Sequence, residues 1–332
     1  MHKYTKTTNK YTVKTKKYSV RLEEAKINIL MRELGIDSIT TLIDRLIDDR
    51  IENVLPPPNK MRSPILRIGG KSVIADKLLE LVPEHKVFVD VFSGANHLVF
   101  AKELNASKIE VINDKSGDTM NLFEIIRERP LELREQILEM PCSRAYYNKL
   151  RGLPMPEDKV NRAAVYFYLI RSSFYGDIRS GWRSPSRINP IKTMERIANE
   201  LYWMGQRLKK VVLENADYKY ILKKYGNNPD AFLFVDSPYI IYGKKHGLYD
   251  IPFTIADNRE LAKRLRELPC KVMVTHYPNK LFDRYYRGWR VEQISTFKGS
   301  GALIENQGVD GQGNIVTVRK KPKVIENIYM NY

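Results

Sequence analysis

Cysteine is nearly absent from this chain of 332 residues. Cys142 and Cys270 are the two present, and neither has a close partner. That excludes a disulfide framework and a CxxC metal site, and it fits a reducing, intracellular (cytoplasmic) setting. Long apolar runs are missing too. The longest, Ala163 to Ile170, falls far short of a membrane span. The basic N-terminus is not followed by an apolar core and a small-residue cleavage site, so no signal peptide is expected. Five scattered histidines give no ligand spacing, and no metal is expected. A phosphate loop is lacking as well. Gly70-Lys71-Ser72 would need a glycine at position 65, where Ile65 stands. This disfavours a nucleotide triphosphatase.

Base, by contrast, is abundant. Lys plus Arg number 56 against 39 Asp plus Glu, a formal charge of +17. So large an excess favours a polyanionic partner, most simply nucleic acid. Residues 1–17 hold six lysines and no acid, a composition that predicts a disordered cationic tail. Tyr18, Val20 and Leu22 then alternate with Ser19 and Arg21 as a short amphipathic strand. Two helical segments follow. The first, Glu23 to Leu34, aligns Ile27, Leu30, Met31 and Leu34 and stops at Gly35. The second begins after Asp37 and Ser38 and repeats Leu42, Ile43, Leu46, Ile47 and Ile51 on one face. A strand and two helices over 18–55 cannot bury their own apolar faces and need a twin. Pro56-Pro57-Pro58 opens a stiff linker over 56–60.

From residue 61 to 332 a larger domain is expected. Apolar strand-like runs at 87–92, 109–114, 211–215, 232–236 and 270–276 alternate with helical stretches. This argues an α/β fold, a parallel sheet with helices on both faces. Between about 115 and 210 the alternation lapses into helical, basic sequence, which reads as an insertion.

Four segments carry candidate chemistry. In ILRIGGKS, Gly70 permits close backbone approach to a ligand beside the cation of Lys71. In VFVDVFSGANH a buried strand runs into Asp90, Phe92, Gly94 and Asn96. Cofactors of doubly wound sheets bind outside such strand ends. Asn96 is a residue type that tolerates positive φ. Asp114 ends the next strand, where an acid can accept from ribose hydroxyls. In FLFVDSPY the apolar strand delivers Asp236, while Pro238 stiffens the turn that presents Tyr239. An amino group on a heteroaromatic base is a poor nucleophile, because its lone pair is delocalised into the ring. A carboxylate and a backbone carbonyl accepting its two hydrogens would localise that pair, with an aromatic ring holding the base.

Together, and in this order, GGK (69–71), DVFSGAN (90–96), IND (112–114), a long insertion and DSPY (236–239) resemble the alpha-class, Dam-type adenine-specific DNA methyltransferases. Inside the insertion, Arg171, Phe174, Gly176 and Arg179 fall in register with that family's R-x-x-F-N-G-x-x-R stretch. The resemblance implies a Rossmann-like fold and S-adenosyl-L-methionine as donor, held by Gly70, Lys71, Asp90, Phe92, Gly94, Asn96 and Asp114. It also implies an adenine flipped from duplex DNA at Asp236, Ser237, Pro238 and Tyr239. Arg171, Phe174, Arg179, Arg183 and Arg187 would form the DNA-facing surface. Three positions depart from the pattern. Ser237 stands for a proline, Asn96 for a glycine and Tyr175 for an asparagine. In that family the position of Ser237 is assigned a main-chain carbonyl role, and serine supplies a carbonyl too. The segment 18–55 resembles a ribbon-helix-helix domain, which implies a homodimer and places Lys17, Ser19 and Arg21 against base edges. A regulator that kept the fold without turnover and an RNA methyltransferase are the alternatives.

Overall fold

The computed structural model describes residues 3–7, 10–14, 19–36, 38–55, 58, 60–67, 69–183, 190–239, 253–297, 304–309, 315–320 and 323–332. The chain divides into two compact units, Met1–Pro57 and Pro58–Tyr332.

In the first unit, strands β1 (Lys3–Thr7), β2 (Lys10–Lys14) and β3 (Ser19–Glu23) form an antiparallel sheet in that order. Two strands therefore occupy the stretch whose composition predicts disorder. Its threonines, tyrosines and Val13 suit a pleated ladder, and the pairing of β1 with β2 and of β2 with β3 satisfies backbone groups despite the lysines. Helix α1 (Glu24–Leu34) ends as the glycine predicts. Gly35 takes φ +63°, and the Ile36 amide donates to the Met31 carbonyl at 2.8 Å, closing a Schellman turn. Helix α2 (Ile39–Val54) follows, with Ser38 Oγ accepting from the Thr41 amide. Ile27, Ile36 and Leu42 make a small core. Leu30, Leu46 and Ile47, expected on the buried faces, are exposed within this unit.

The second unit is built on a seven-stranded sheet. Its strands are β4 (Val87–Asp90), β5 (Ile109–Asn113), β6 (Val211–Glu214), β7 (Ala231–Val235), β8 (Lys271–His276), β9 (Arg290–Phe297) and β12 (Lys323–Met330). A hairpin, β10 (Ile304–Val309) and β11 (Ile315–Lys320), lies between the last two in sequence. The sheet order is β6-β5-β4-β7-β8-β12-β9. The first five strands are mutually parallel, and β12 runs antiparallel between β8 and β9. All five strands expected from the apolar runs are present. β4 and β7 are buried along their whole length, as strands covered on both faces must be. Alternation sorts their side chains. Phe88, Phe232, Phe234 and Met273 enter one core, while Val89, Leu233, Val235 and Val274 enter the other.

Helices α3 (Ala75–Glu80), α4 (His97–Ala101), α5 (Gly117–Glu128), α6 (Pro130–Glu139), α8 (Lys159–Ser172) and α9 (Pro190–Leu208) contribute to the first core. Helices α10 (Tyr218–Tyr225), α11 (Ile255–Arg266) and α12 (Lys280–Tyr285) cover the second. The segment read as an insertion is thus largely one layer of the fold, since its apolar helix faces are what cover that side of the sheet. A smaller cluster around Tyr147 and Tyr168, joining α7 (Arg144–Arg151) to α8, carries the rest, with Trp182 packed on it.

Candidate active site

The order of the sheet reverses at β4, with β5 and β6 on one side and β7 and β8 on the other. Crevices outside the carboxyl ends of strands open at such switch points. A cleft of about 340 Å³ lies there. Gly70, Lys71, Asp90, Phe92, Gly94, Asp114, Asp236 and Pro238 all line it, although they come from four separate stretches of sequence. Asn96, Ser237 and Tyr239 are buried beside it.

Each wall has a local cause. Gly69 takes φ +80°, turning the chain so that Gly70 passes His97. A Cβ on Gly70 would sit 2.6 Å from His97 Nε2. Lys71 then opens a short 3-10 turn with its side chain buried. After β4 the loop turns through Gly94 (φ +46°) and Asn96 (φ 55°), the left-handed conformation its asparagine suits. A Cβ on Gly94 would meet nothing closer than 3.9 Å, so the space beside it is open. The loop is pinned from β5. Asp114 Oδ2 accepts from the Gly94 amide at 2.9 Å and its Oδ1 from the Ser116 amide at 2.8 Å.

Buried polar atoms in this loop lack partners. Asp90 Oδ1, Ser93 Oγ and both amide atoms of Asn96 make no hydrogen bond. Burial, with Asp236 and Asp114 close by, holds the Asp90 carboxyl well above the ordinary carboxylate range. A ligand carrying hydrogen-bond donors and positive charge would answer both deficits. Part of the lining is aromatic. Phe92, Tyr218 and Phe253 stand 5.5–5.7 Å apart, ring to ring.

Asp236 is clamped at the head of β7. Lys71 Nζ reaches its oxygens at 2.7 and 2.8 Å, and Thr275 Oγ1 donates to Oδ1 at 2.7 Å. Lys71 Nζ also donates to the Gly69 carbonyl at 2.9 Å and lies 3.3 Å from Glu326. The Tyr239 hydroxyl donates to Glu326, and its ring packs 4.5 Å from His276. His276 Nδ1 meets the Tyr277 carbonyl at 2.7 Å, so that nitrogen carries the proton. Burial lowers both His97 and His276 to about 4, leaving them neutral near pH 7. Ser237 is buried with its Oγ 3.4 Å from Asn258 Oδ1, which ties the turn to the first turn of α11.

Glu326, Thr275, His97 and His276 were not recognised from sequence. None carries a motif, and Glu326 lies in a strand of mixed polarity, KVIENIYM. Arg171, Phe174, Arg179 and Arg183 sit at the end of α8 and in the loop after it, outside the cleft lining. Arg171 is half-buried and pulled down to about 10 by burial, then by Arg196 and Arg183. Phe174, Arg179 and Arg183 are exposed. The backbone joins this loop to the cleft, because Gly176 (φ +73°) packs on the Leu66 carbonyl. Ser19 and Arg21 lie on β3, while Lys17 and Arg187 fall outside the described residues.

A family model described as D12 class N6 adenine-specific DNA methyltransferase matches residues 68–299. Among solved structures, precorrin-6y C5,15-methyltransferase from Geobacter metallireducens GS-15 is 10% identical, with 84% of this chain and 95% of that chain covered. Its TM-score of 0.30 is too low to carry an argument.

Proposed function

Because the chain belongs to the D12 class N6 adenine-specific DNA methyltransferases, we propose that its cleft holds S-adenosyl-L-methionine and an adenine flipped out of duplex DNA. The carrying observation is the meeting of Gly70, Lys71, Asp90, Gly94, Asp114 and Asp236 at one sheet edge. Bound there, the cofactor supplies an electrophilic methyl group on a sulfonium. Asp90, Ser93 and Asn96, with their unpartnered atoms, suit its polar and cationic parts. Asp114 suits a ribose, and the Phe92–Tyr218–Phe253 wall suits a flat ring.

Asp236, with the main-chain carbonyl of Ser237, accepts the two hydrogens of the adenine amino group and localises its lone pair. Lys71 and Thr275 keep that carboxylate aimed without occupying all its lone pairs. Pro238 and Tyr239 hold the base by packing. Ser237 keeps the carbonyl that the position requires, and its buried hydroxyl beside Asn258 replaces part of the stiffness of a second proline. Arg171, Phe174, Arg179, Arg183 and Arg187 contact DNA. The N-terminal unit adds a second contact through β3 as a ribbon-helix-helix homodimer. The exposure of Leu30, Leu46 and Ile47 supports a second copy there.

The test is transfer of labelled methyl groups to duplex DNA of mixed sequence, comparing wild type with Asp236→Ala. Label in N6-methyladenine, lost in the variant, is expected. No incorporation by wild type would overturn the enzymatic reading, and incorporation into RNA alone would redirect it.

A further inference from the structure

The last strand brings a buried acid to the motif. β12 is antiparallel to β8, with Asn327 opposite His276, so the early part of β12 lies at the same sheet edge as the carboxyl ends of the parallel strands. Glu326 is 4% exposed there. A carboxylate withdrawn from water persists only when it is paired and hydrogen-bonded. Its partners here are Lys71 of the cleft wall, Nζ at 3.3 Å, and the hydroxyl of Tyr239, buried beside the cleft. Glu326 is held in turn by a stiff strand. Its backbone is in register with Ile294 of β9, and the next residue, Asn327, accepts from Gln293 at 3.0 Å and donates to Tyr329 at 3.1 Å.

Lys71 is thereby shared. One ammonium, lying 4.8 Å from the centre of the Tyr239 ring, bridges Asp236 and Glu326. Asp236 and Tyr239 bracket the DSPY turn, and both of their polar ends lead through this bridge to β12. Resting on the reading of Asp236 to Tyr239 as the methylation site, we propose that Glu326 is a positioning residue for methyl transfer. It anchors the Tyr239 hydroxyl and orients Lys71 against Asp236, fixing a turn that has one proline where the family pattern has two. The residue lies beyond the stretch 68–299 that the family model matches, so that match says nothing of it.

Burial raises the Glu326 carboxyl, and Asp236 adds to this against the opposing pull of Lys71. Acidification therefore neutralises Glu326 and weakens the anchor, so its loss should alter the pH profile as well as the rate. The experiment is single-turnover adenine methylation by the full-length protein, from pH 5.5 to 8.5, for wild type, Glu326→Gln, Tyr239→Phe and the double variant. Glu326→Gln is nearly isosteric, and its thermal melt reports whether the fold survives. Glu326→Gln is expected to slow transfer by roughly 10- to 100-fold with little change in the Kd for DNA, measured separately by filter retention. It should also displace the acid limb of the profile. The double variant should be no slower than the slower single one, because both remove the same contact. A folded Glu326→Gln with wild-type rate and profile, or strictly multiplicative single effects, would overturn the proposal. Absence of methylation by wild type would instead overturn the reading of the site itself.

Discussion

Tyr175 shows how a single residue can depart from a motif and what that costs. It sits at φ 56°, ψ 22°, the left-handed region that asparagine tolerates best among residues with a side chain. An aromatic residue there carries roughly 1–2 kcal/mol of backbone strain. Tyr175→Asn should therefore stabilise the protein by about 1 kcal/mol, a rise in Tm of about 2–4 °C by calorimetry. An unchanged or lower Tm would mean that the ring, 4.3 Å from Phe174, contributes more than the strain removes. Residue identity at Asp90, Asp114 and Asp236 was legible in sequence, because each acid ends an apolar strand. What Asp114 now holds was not. Its partners are the backbone amides of Gly94 and Ser116, and no sequence pattern names an amide.

At the scale of elements, the segment before Gly69 is the joint between the cleft and the basic loop. Arg67 Nη2 donates to Thr119 Oγ1 at 2.9 Å and to the Tyr166 hydroxyl at 2.8 Å, linking that segment to α5 and α8. Gly176 presses on it from the other side. A Cβ at Gly176 would lie 1.8 Å from the Leu66 carbonyl oxygen, at a φ no alanine prefers. Gly176→Ala should cost about 2–4 kcal/mol in urea unfolding. If the variant folds, cofactor and DNA affinity should fall together. Loss of DNA affinity alone would show that the joint does not connect them. β4, β7 and β8 were readable because strands buried on both faces are continuous apolar runs. β5 and β6 were readable because short β-branched stretches mark them even towards the sheet edge. β9 and β12 were not, since strands of mixed polarity such as Arg290–Phe297 show no such run.

At the scale of the whole molecule, both sheet cores draw their residues from Pro58–Tyr332. Removal of residues 1–57 should leave a folded protein that still methylates DNA at low salt, with weaker binding measured by filter retention. A wild-type affinity would exclude the first unit as a DNA contact. Acid should loosen the second unit. Burial lowers His97 and His276 from 6.5 to about 4, so the unfolded chain binds their protons first. Stability present above pH 6.5 is lost as pH falls towards 4, by up to about 2 kcal/mol for each histidine at pH 5. Urea midpoints at pH 7 and pH 5 check this, and His276→Asn should flatten the difference. The sequence by itself determined the α/β alternation, the proline boundary, the excess of basic charge and the acids that line the cleft. These follow from local composition and period. Only the tertiary structure decided that Lys71 bridges Asp236 to Glu326, and that Gly176 rests on Leu66. Those contacts join residues 110 to 255 positions apart, where the packing of distant elements, and no local preference, sets which groups meet.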